Sequence, residues 1–403
     1  MKKVRIIGAG FSGLSLAYFL QKNGCEVEIF EQSARTGGLI SSPKTSFGIY
    51  ETAANGFLSN QLVEDFISDL GLTPLRPGKA AKKRFIFRKF PRRWPLGFLE
   101  TLSLLGRALL RALTRKLSPQ THETIRSWGH RVLGAAATHY LLEAALQGIY
   151  AGDASLMSAE LIFKKSKQGS RKSLGLASFE NGMGQMIEAL SEHLLCSGVK
   201  IHLSQKVSAA QMGLNSDSSL MVICTNPHQA AEILTELKDP SEATTTNASL
   251  LKKIELRALT TVTAYFPRPP QKFAGFGILF PKAEGRWPLG ILQNSHIFPR
   301  QASHFSETWI LSGIEHSDTE INSKIFAERQ IIYQEQASPS HLQITRWPTA
   351  LPHYTVELKQ ILDQLRPMKN IWLHGNYLGG IGLSKILEQS KNLASQLAAG
   401  ADQ

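Results

Sequence analysis

At 403 residues, with 42% hydrophobic and 19% charged content, the chain can bury a sizeable core in two or three domains and is too apolar to be disordered. Its net charge of +13 is concentrated, because residues 79–116 carry twelve Lys or Arg against one acid, Glu100, while the rest is nearly balanced; such an excess marks an interaction surface. Cys25, Cys196 and Cys224 are scattered without ligand spacing, which speaks against a disulfide framework or a metal site and for a reducing compartment, and no uncharged apolar run approaches the roughly 20 residues of a membrane-spanning helix.

In chain order, Val4–Ile7 predicts a short buried strand, followed by GAGFSG and a helical run that Gly24 stops. Gly8, Gly10 and Gly13 keep the GxGxxG spacing at this strand-to-helix turn. The first glycine permits the tight turn, the second lets a pyrophosphate approach the backbone, and the third lets the helix pack on the strand. The free N–H groups of the helix start then face the phosphates. Ala9, Phe11 and Ser12 complete the turn. A second strand, Glu26–Phe30, ends at Glu31, where a carboxylate can accept hydrogen bonds from a ribose hydroxyl. Gln32, Arg35, Gly37, Gly38 and Leu39 follow in EQSARTGGL. The agreement of strand, helix, second strand and acid predicts a dinucleotide site.

Gln61–Gly71 reads as a helix, Leu96–Lys116 as a long one, and Thr121–Gln147 as two more broken near Gly134. A glycine turn at Phe179–Gly184 feeds the amphipathic helix Gln185–Leu195. Short strands are expected at Val199–Leu203, Lys206–Ala210 and Leu220–Cys224, and the polar stretch 239–249 reads as a linker. Strand-like runs dominate from about residue 256 to 350. At the end, Ile371–Leu373 is a strand, GNYLGGIG a glycine turn and Leu383–Leu397 a helix. This unit is either an ordinary strand–turn–helix or a second helix start aimed at the cofactor, with Gly375 and Gly382 allowing close approach beside Ile381 and Leu383.

These residues carry a resemblance. ExxxRxGG from Glu31 to Gly38 is similar to the FAD-binding extension of amine-oxidase-like flavoproteins. GIYAGDASLMSA (148–159), SFENGMGQMIEALSEHL (178–194), RWPTALPHY (346–354) and HGNYLGGIGLSKILEQSKNLA (374–394) resemble, in order, segments of the protoporphyrinogen oxidase family. The resemblance implies an α/β fold: a discontinuous Rossmann-like FAD-binding domain (1–75, 176–240, 365–403), a helical membrane-facing insertion (76–175) and a strand-rich substrate domain (241–364). It implies FAD as cofactor, a porphyrinogen substrate oxidised to the porphyrin in haem synthesis, and oxygen or another acceptor. Arg84 would pair with a substrate propionate, facing inward beside the aromatic run. Asn55 and Gly56 would lie near flavin and substrate, and Val207 would touch the adenine end of FAD, its alternative being a core valine. The cofactor carries the chemistry in such an enzyme, so no general base is named. The chain departs from the family at Ala53-Ala54, where a Gly-Pro pair is usual, after Tyr354, where a Gly-His pair is absent, and between Ser158 and Phe179, which is shorter. Protoporphyrinogen and coproporphyrinogen both stay open as substrates. Another amine-oxidase-like flavoenzyme, such as a desaturase or amine oxidase, and a catalytically silent FAD-binding assembly protein are the alternatives.

The basic segment 79–116 combines an apolar run, Phe98–Leu113, with Arg107, Arg111 and Arg115 at four-residue intervals. This pattern suits a membrane surface better than nucleic acid, with a buried, substrate-covering helix as the alternative for Phe98–Leu113, and the bases from Arg88 onward form the edge of the docking face. The expected setting is cytoplasmic with peripheral membrane association, and a homodimer is compatible.

Overall fold

Five short strands pair into one all-parallel sheet in the order Ile371–Leu373, Ser219–Ile223, Lys3–Ile7, Glu26–Phe30, Lys200–His202. This computed structural model describes residues 2–114, 117–163, 172–207 and 219–400. A parallel sheet must be covered on both faces, and strand alternation divides the coverage. Val4 and Ile6 pack under helices Phe11–Lys22, Gly184–Cys196 and Leu383–Ala399, whereas Ile7, Met221 and Ile223 pack against helices Pro227–Thr235, Glu242–Lys252 and Val356–Gln364.

A second, seven-stranded sheet runs in the order His341–Pro352, Leu256–Phe266, Phe305–Ser312, Gly290–Leu292, Gly277–Leu279, Arg84–Arg88, Phe90–Arg92. Only the pairing of Gly277–Leu279 with Arg84–Arg88 is parallel. One face buries Phe85, Phe87, Val262, Ile278, Ile291 and Trp309 against Ile321, Ile325 and Ile332 of helix Asp318–Tyr333. Within this core Arg329 and Glu307, 1% and 0% exposed, form an ion pair at 2.6 Å, and the guanidinium lies 3.7 Å from the Phe266 ring centroid.

Several expectations are corrected. The polar stretch 239–249 is mostly helix: Ser241 caps Glu242–Lys252 by accepting from the Thr244 N–H at 3.2 Å, and Ala248, Leu250 and Leu251 turn inward. Its buried face is apolar although its overall composition is not. The strand-rich region also contains the sixteen-residue helix Asp318–Tyr333, whose apolar residues recur at helical spacing. The basic stretch at 84–92 is two strands of the second sheet, not the start of a helical block. Of the strand expected at Lys206–Ala210, Lys206 and Val207 are not in a strand, and the remainder lies outside the described residues, as does Arg115.

Replacing Arg329 with Met strands the Glu307 carboxylate in an apolar core. The expected cost is about 3–5 kcal/mol, read as a lowered urea midpoint; an unchanged midpoint would show that the pair is not what holds the helix to the sheet.

Candidate cofactor and substrate site

The N-terminal turn is shaped by close approach. Gly8 has φ +102°, and a Cβ on Gly13 would lie 2.0 Å from the Gly8 carbonyl oxygen. Gly10, by contrast, has only Gly38 Cα within 4.0 Å of a Cβ, which leaves its outer side open. The Gly37 N–H donates to the Ala9 carbonyl at 2.8 Å, folding the glycine pair over the turn. Arg35 fixes that fold, donating from Nη2 to Gly38 O at 2.6 Å and from Nη1 to Thr36 O and Ile40 O. Glu31 stands at the end of its strand, with Oε2 accepting from the Ala9 N–H at 2.8 Å and Oε1 from the Ser33 N–H at 2.9 Å. Phe11 turns its ring inward, edge-on to Phe66 at 6.4 Å, so only its backbone can serve the turn. Ser12 and Leu39 are half-buried, and Gln32 is exposed.

The C-terminal turn mirrors this arrangement. Gly10 and Gly382 are the N-cap residues of helices Phe11–Lys22 and Leu383–Ala399, and neither helix start has a side-chain cap. The first-turn N–H groups are therefore available to a ligand. A Cβ on Gly382 would meet nothing within 4 Å, whereas one on Gly375 would press on the Tyr377 ring at 3.0 Å. Ile381 and Leu383 are half-buried. The Tyr354 hydroxyl donates to the Asn376 carbonyl, pinning the turn. Val207 is half-buried and packs at the margin of the cluster beneath the parallel sheet, outside any strand. Uncapped helix starts, an open glycine and an acid at the strand end fit a dinucleotide cofactor such as FAD.

Gly56 packs so closely that a Cβ would lie 2.7 Å from Ala177 O. Beside it, Asn55 Oδ1 accepts from Thr308 Oγ1 at 3.4 Å, and Thr308 Oγ1 also accepts from Asn294 Nδ2 at 2.7 Å. The preceding loop is tied to the sheet through the Thr52 carbonyl, which accepts from Trp347 Nε1 at 2.7 Å and Thr261 Oγ1 at 3.4 Å. Strand register then connects Asn55 to Arg84. Thr308 pairs with Leu292, Leu292 with Gly277, and Gly277 with Arg84, so these residues form one row on one face. Arg84 is exposed rather than turned inward beside the aromatics, because alternation sends Phe85 and Phe87 to the opposite, buried face. Its guanidinium lies 4.7 Å from the Phe276 ring centroid.

The remaining bases of the patch divide. Arg88 is no part of an exposed basic edge: it grips Glu100 at 2.6 and 3.0 Å and lies 4.0 Å from the Tyr140 ring centroid. Arg111 Nε donates to the Arg131 carbonyl, and Arg107 packs at Gly134. The apolar residues of Phe98–Leu113 point outward instead; Phe98 is 83% and Leu113 74% exposed.

Three groups escaped the sequence reading. Buried Glu51 accepts from Ser42 Oγ at 2.5 Å and the Met183 N–H at 3.1 Å, with Arg300 at 3.7 Å; burial pushes its carboxyl up. Arg300 itself holds Phe179 O and Ser178 Oγ, and burial pushes its guanidinium down. The third is His374, adjacent to the closing glycine turn and 3% exposed. Only the position of His374 beside GNYLGG offered a signal.

The profile of the family described as flavin containing amine oxidoreductase matches residues 11–382. A mitochondrial protoporphyrinogen oxidase from Nicotiana tabacum is 25% identical over 475 residues, covering 98% of this chain and 94% of its own. A coproporphyrinogen III oxidase from Bacillus subtilis is 22% identical, covering 98% and 97%. Among solved structures, reduced UDP-galactopyranose mutase superposes with a TM-score of 0.76 at 13% identity, covering 100% of this chain and 94% of that one. Likenesses at that distance speak to the fold alone.

Two outcomes follow from this geometry. Gly13→Ala drives a methyl group into the Gly8 carbonyl, so the purified variant should lack visible flavin absorption; a fully loaded variant would contradict the tight-turn account. Burial pushes the His374 imidazole down from 6.5 to about 4. Between those values the unfolded chain binds a proton that the native state does not, so this contribution to stability is present above about pH 6.5 and is lost as pH falls toward 4. Urea midpoints measured across that range should fall less steeply in His374→Gln than in the natural chain; equal slopes would contradict it.

Proposed function

The chain belongs to the flavin-containing amine oxidoreductase family, with FAD as its cofactor, and on that premise we propose that it oxidises a porphyrinogen, protoporphyrinogen IX or coproporphyrinogen III, to the porphyrin with dioxygen as acceptor. The observation that carries the reading is the single register row from Thr308 and Asn55 to Arg84. Three strand spacings make that row roughly 14 Å long, a length that suits a tetrapyrrole lying on the sheet with one carboxylate arm at Arg84. Full-length similarity to relatives named for both porphyrinogens supports the same class.

Bound FAD supplies the hydride acceptor. In this reading the chain's own residues supply position and charge: Arg84 offers a two-pronged grip to a propionate, and its guanidinium lies over the Phe276 ring. Leu292 and Leu279 offer apolar surface along the same face. Asn55, held by Thr308, stands at the flavin end.

The outward face of Phe98–Leu113 supports peripheral membrane association. Phe98, Leu99, Leu102, Leu105, Leu109 and Leu113 are all exposed, with Trp94 nearby, and no described helix is long and apolar enough to cross a bilayer. Arg88 and Arg111 turn back onto the protein, so apolar insertion acts beside the exposed charges of Lys89 and Arg93. Poorly soluble porphyrinogens could then reach the site from the bilayer.

Freshly reduced protoporphyrinogen and coproporphyrinogen, followed by porphyrin fluorescence, test the activity. Flavin-dependent turnover above autoxidation with one of them is expected; none with either refutes the proposal. Arg84→Ala should raise KM about tenfold or more while leaving flavin content intact, and an unchanged KM removes Arg84 from the site. Flotation with vesicles containing anionic lipid should carry the protein upward, and Leu105→Glu with Leu109→Glu should abolish this; equal flotation of that variant overturns the docking face.

A further inference from the structure

Ser15 and Ser390 are 0% exposed and His374 3% exposed, in a core otherwise made of Leu14, Leu16, Ile386, Leu387, Leu393 and Ala394. Burying three polar side chains is costly unless each is hydrogen-bonded. They satisfy one another in a line: His374 Nε2 lies 2.9 Å from Ser390 Oγ, Ser390 Oγ lies 2.8 Å from Ser15 Oγ, and Ser15 Oγ donates to the Ser12 carbonyl at 3.2 Å. When Ser15 donates to the Ser12 carbonyl, Ser390 donates to Ser15 and His374 Nε2–H donates to Ser390, so that a hydrogen runs along every link of the line.

The two ends of this line are the two cofactor turns. Ser12 lies inside GAGFSG, and His374 immediately precedes Gly375, where the closing turn begins. His374 is itself fixed to the parallel sheet through its N–H, which donates to Ile223 O at 3.0 Å. Ser15 is the fifth residue of Phe11–Lys22 and Ser390 the eighth of Leu383–Ala399, the two helices whose uncapped starts are open to ligand. An apolar trio of similar volume would fill the same space, and the net stability gained from such bonds is small. What hydrogen bonds add is direction and register.

We infer that His374 is a positioning residue for FAD, acting through Ser390 and Ser15 to hold the two helix starts and their glycine turns as one rigid cradle. This role is independent of which substrate the enzyme oxidises. Apoprotein prepared from the holoenzyme is titrated with FAD by quenching of flavin fluorescence, and the midpoint potential of the reloaded flavin is measured. His374→Leu and Ser390→Ala should each weaken FAD binding about tenfold and shift the potential. The double variant should be little worse than either single one, because one broken link empties the line. His374→Gln, which can donate from its own Nε2, should recover most of the affinity. If His374→Leu fails to fold, Ser15→Ala, which removes the middle link without adding bulk, carries the test. Natural FAD affinity and potential in Ser390→Ala and Ser15→Ala would overturn the inference. So would additive losses, or a lowered apoprotein melting temperature with an unshifted potential.

Discussion

The structure depends on two helix starts brought side by side with no side chains of their own to satisfy them. Each helix leaves first-turn N–H groups without intrahelical partners, and at Gly10 and Gly382 no cap takes them up. Such a pair suits an anionic or electron-rich ligand group. Its constraints spread outward. Gly13 must lack a side chain for the first helix to sit on its strand, and Arg35 must hold the glycine pair over the turn.

The second sheet is tied to the loop around Thr52 and Asn55 by specific bonds. Thr52 O receives Trp347 and Thr261, and Asn55 receives Thr308, so the sheet's register is read directly into that loop. The chain has Ala53-Ala54 in this loop, and sheet hydrogen bonds do the positioning there. The same register carries Arg84, and the strand bearing Arg84 also bears Arg88, whose grip on Glu100 fixes the start of Phe98–Leu113. Glu100 accepts the Gly97 N–H at 2.7 Å as well. The candidate substrate anchor and the exposed apolar helix are thus mounted on one five-residue strand.

How much of this could be read from the residues follows from the range of the forces involved. The nucleotide turn was legible because its requirements are local: glycine spacing, strand, helix and acid lie within 31 residues. The closing strand Ile371–Leu373 and the break at Gly134, with φ +87°, were legible for the same reason. The resemblance singled out Arg84, but the direction of its side chain was not legible, since alternation has meaning only once the buried face is known. Arg88 and Arg111 looked like surface charge because their partners, Glu100 and the Arg131 carbonyl, are supplied by a helix and a helix end elsewhere in the chain. The helix Glu242–Lys252 hid behind threonines, its apolar face being narrow. The line from Ser15 to Ser390 spans 375 positions, and nothing in either neighbourhood announces the other.

The most direct measurement of the central claim is anaerobic reduction of the bound flavin by a porphyrinogen. Mixing the loaded protein with protoporphyrinogen or coproporphyrinogen, without oxygen, should bleach the oxidised flavin spectrum, and Arg84→Ala should require more substrate for the same bleaching. Each flavin takes two of the six electrons, so porphyrin fluorescence should appear only where at least three flavins are present per porphyrinogen. A flavin that stays oxidised with both porphyrinogens, yet bleaches with dithionite, would contradict the account.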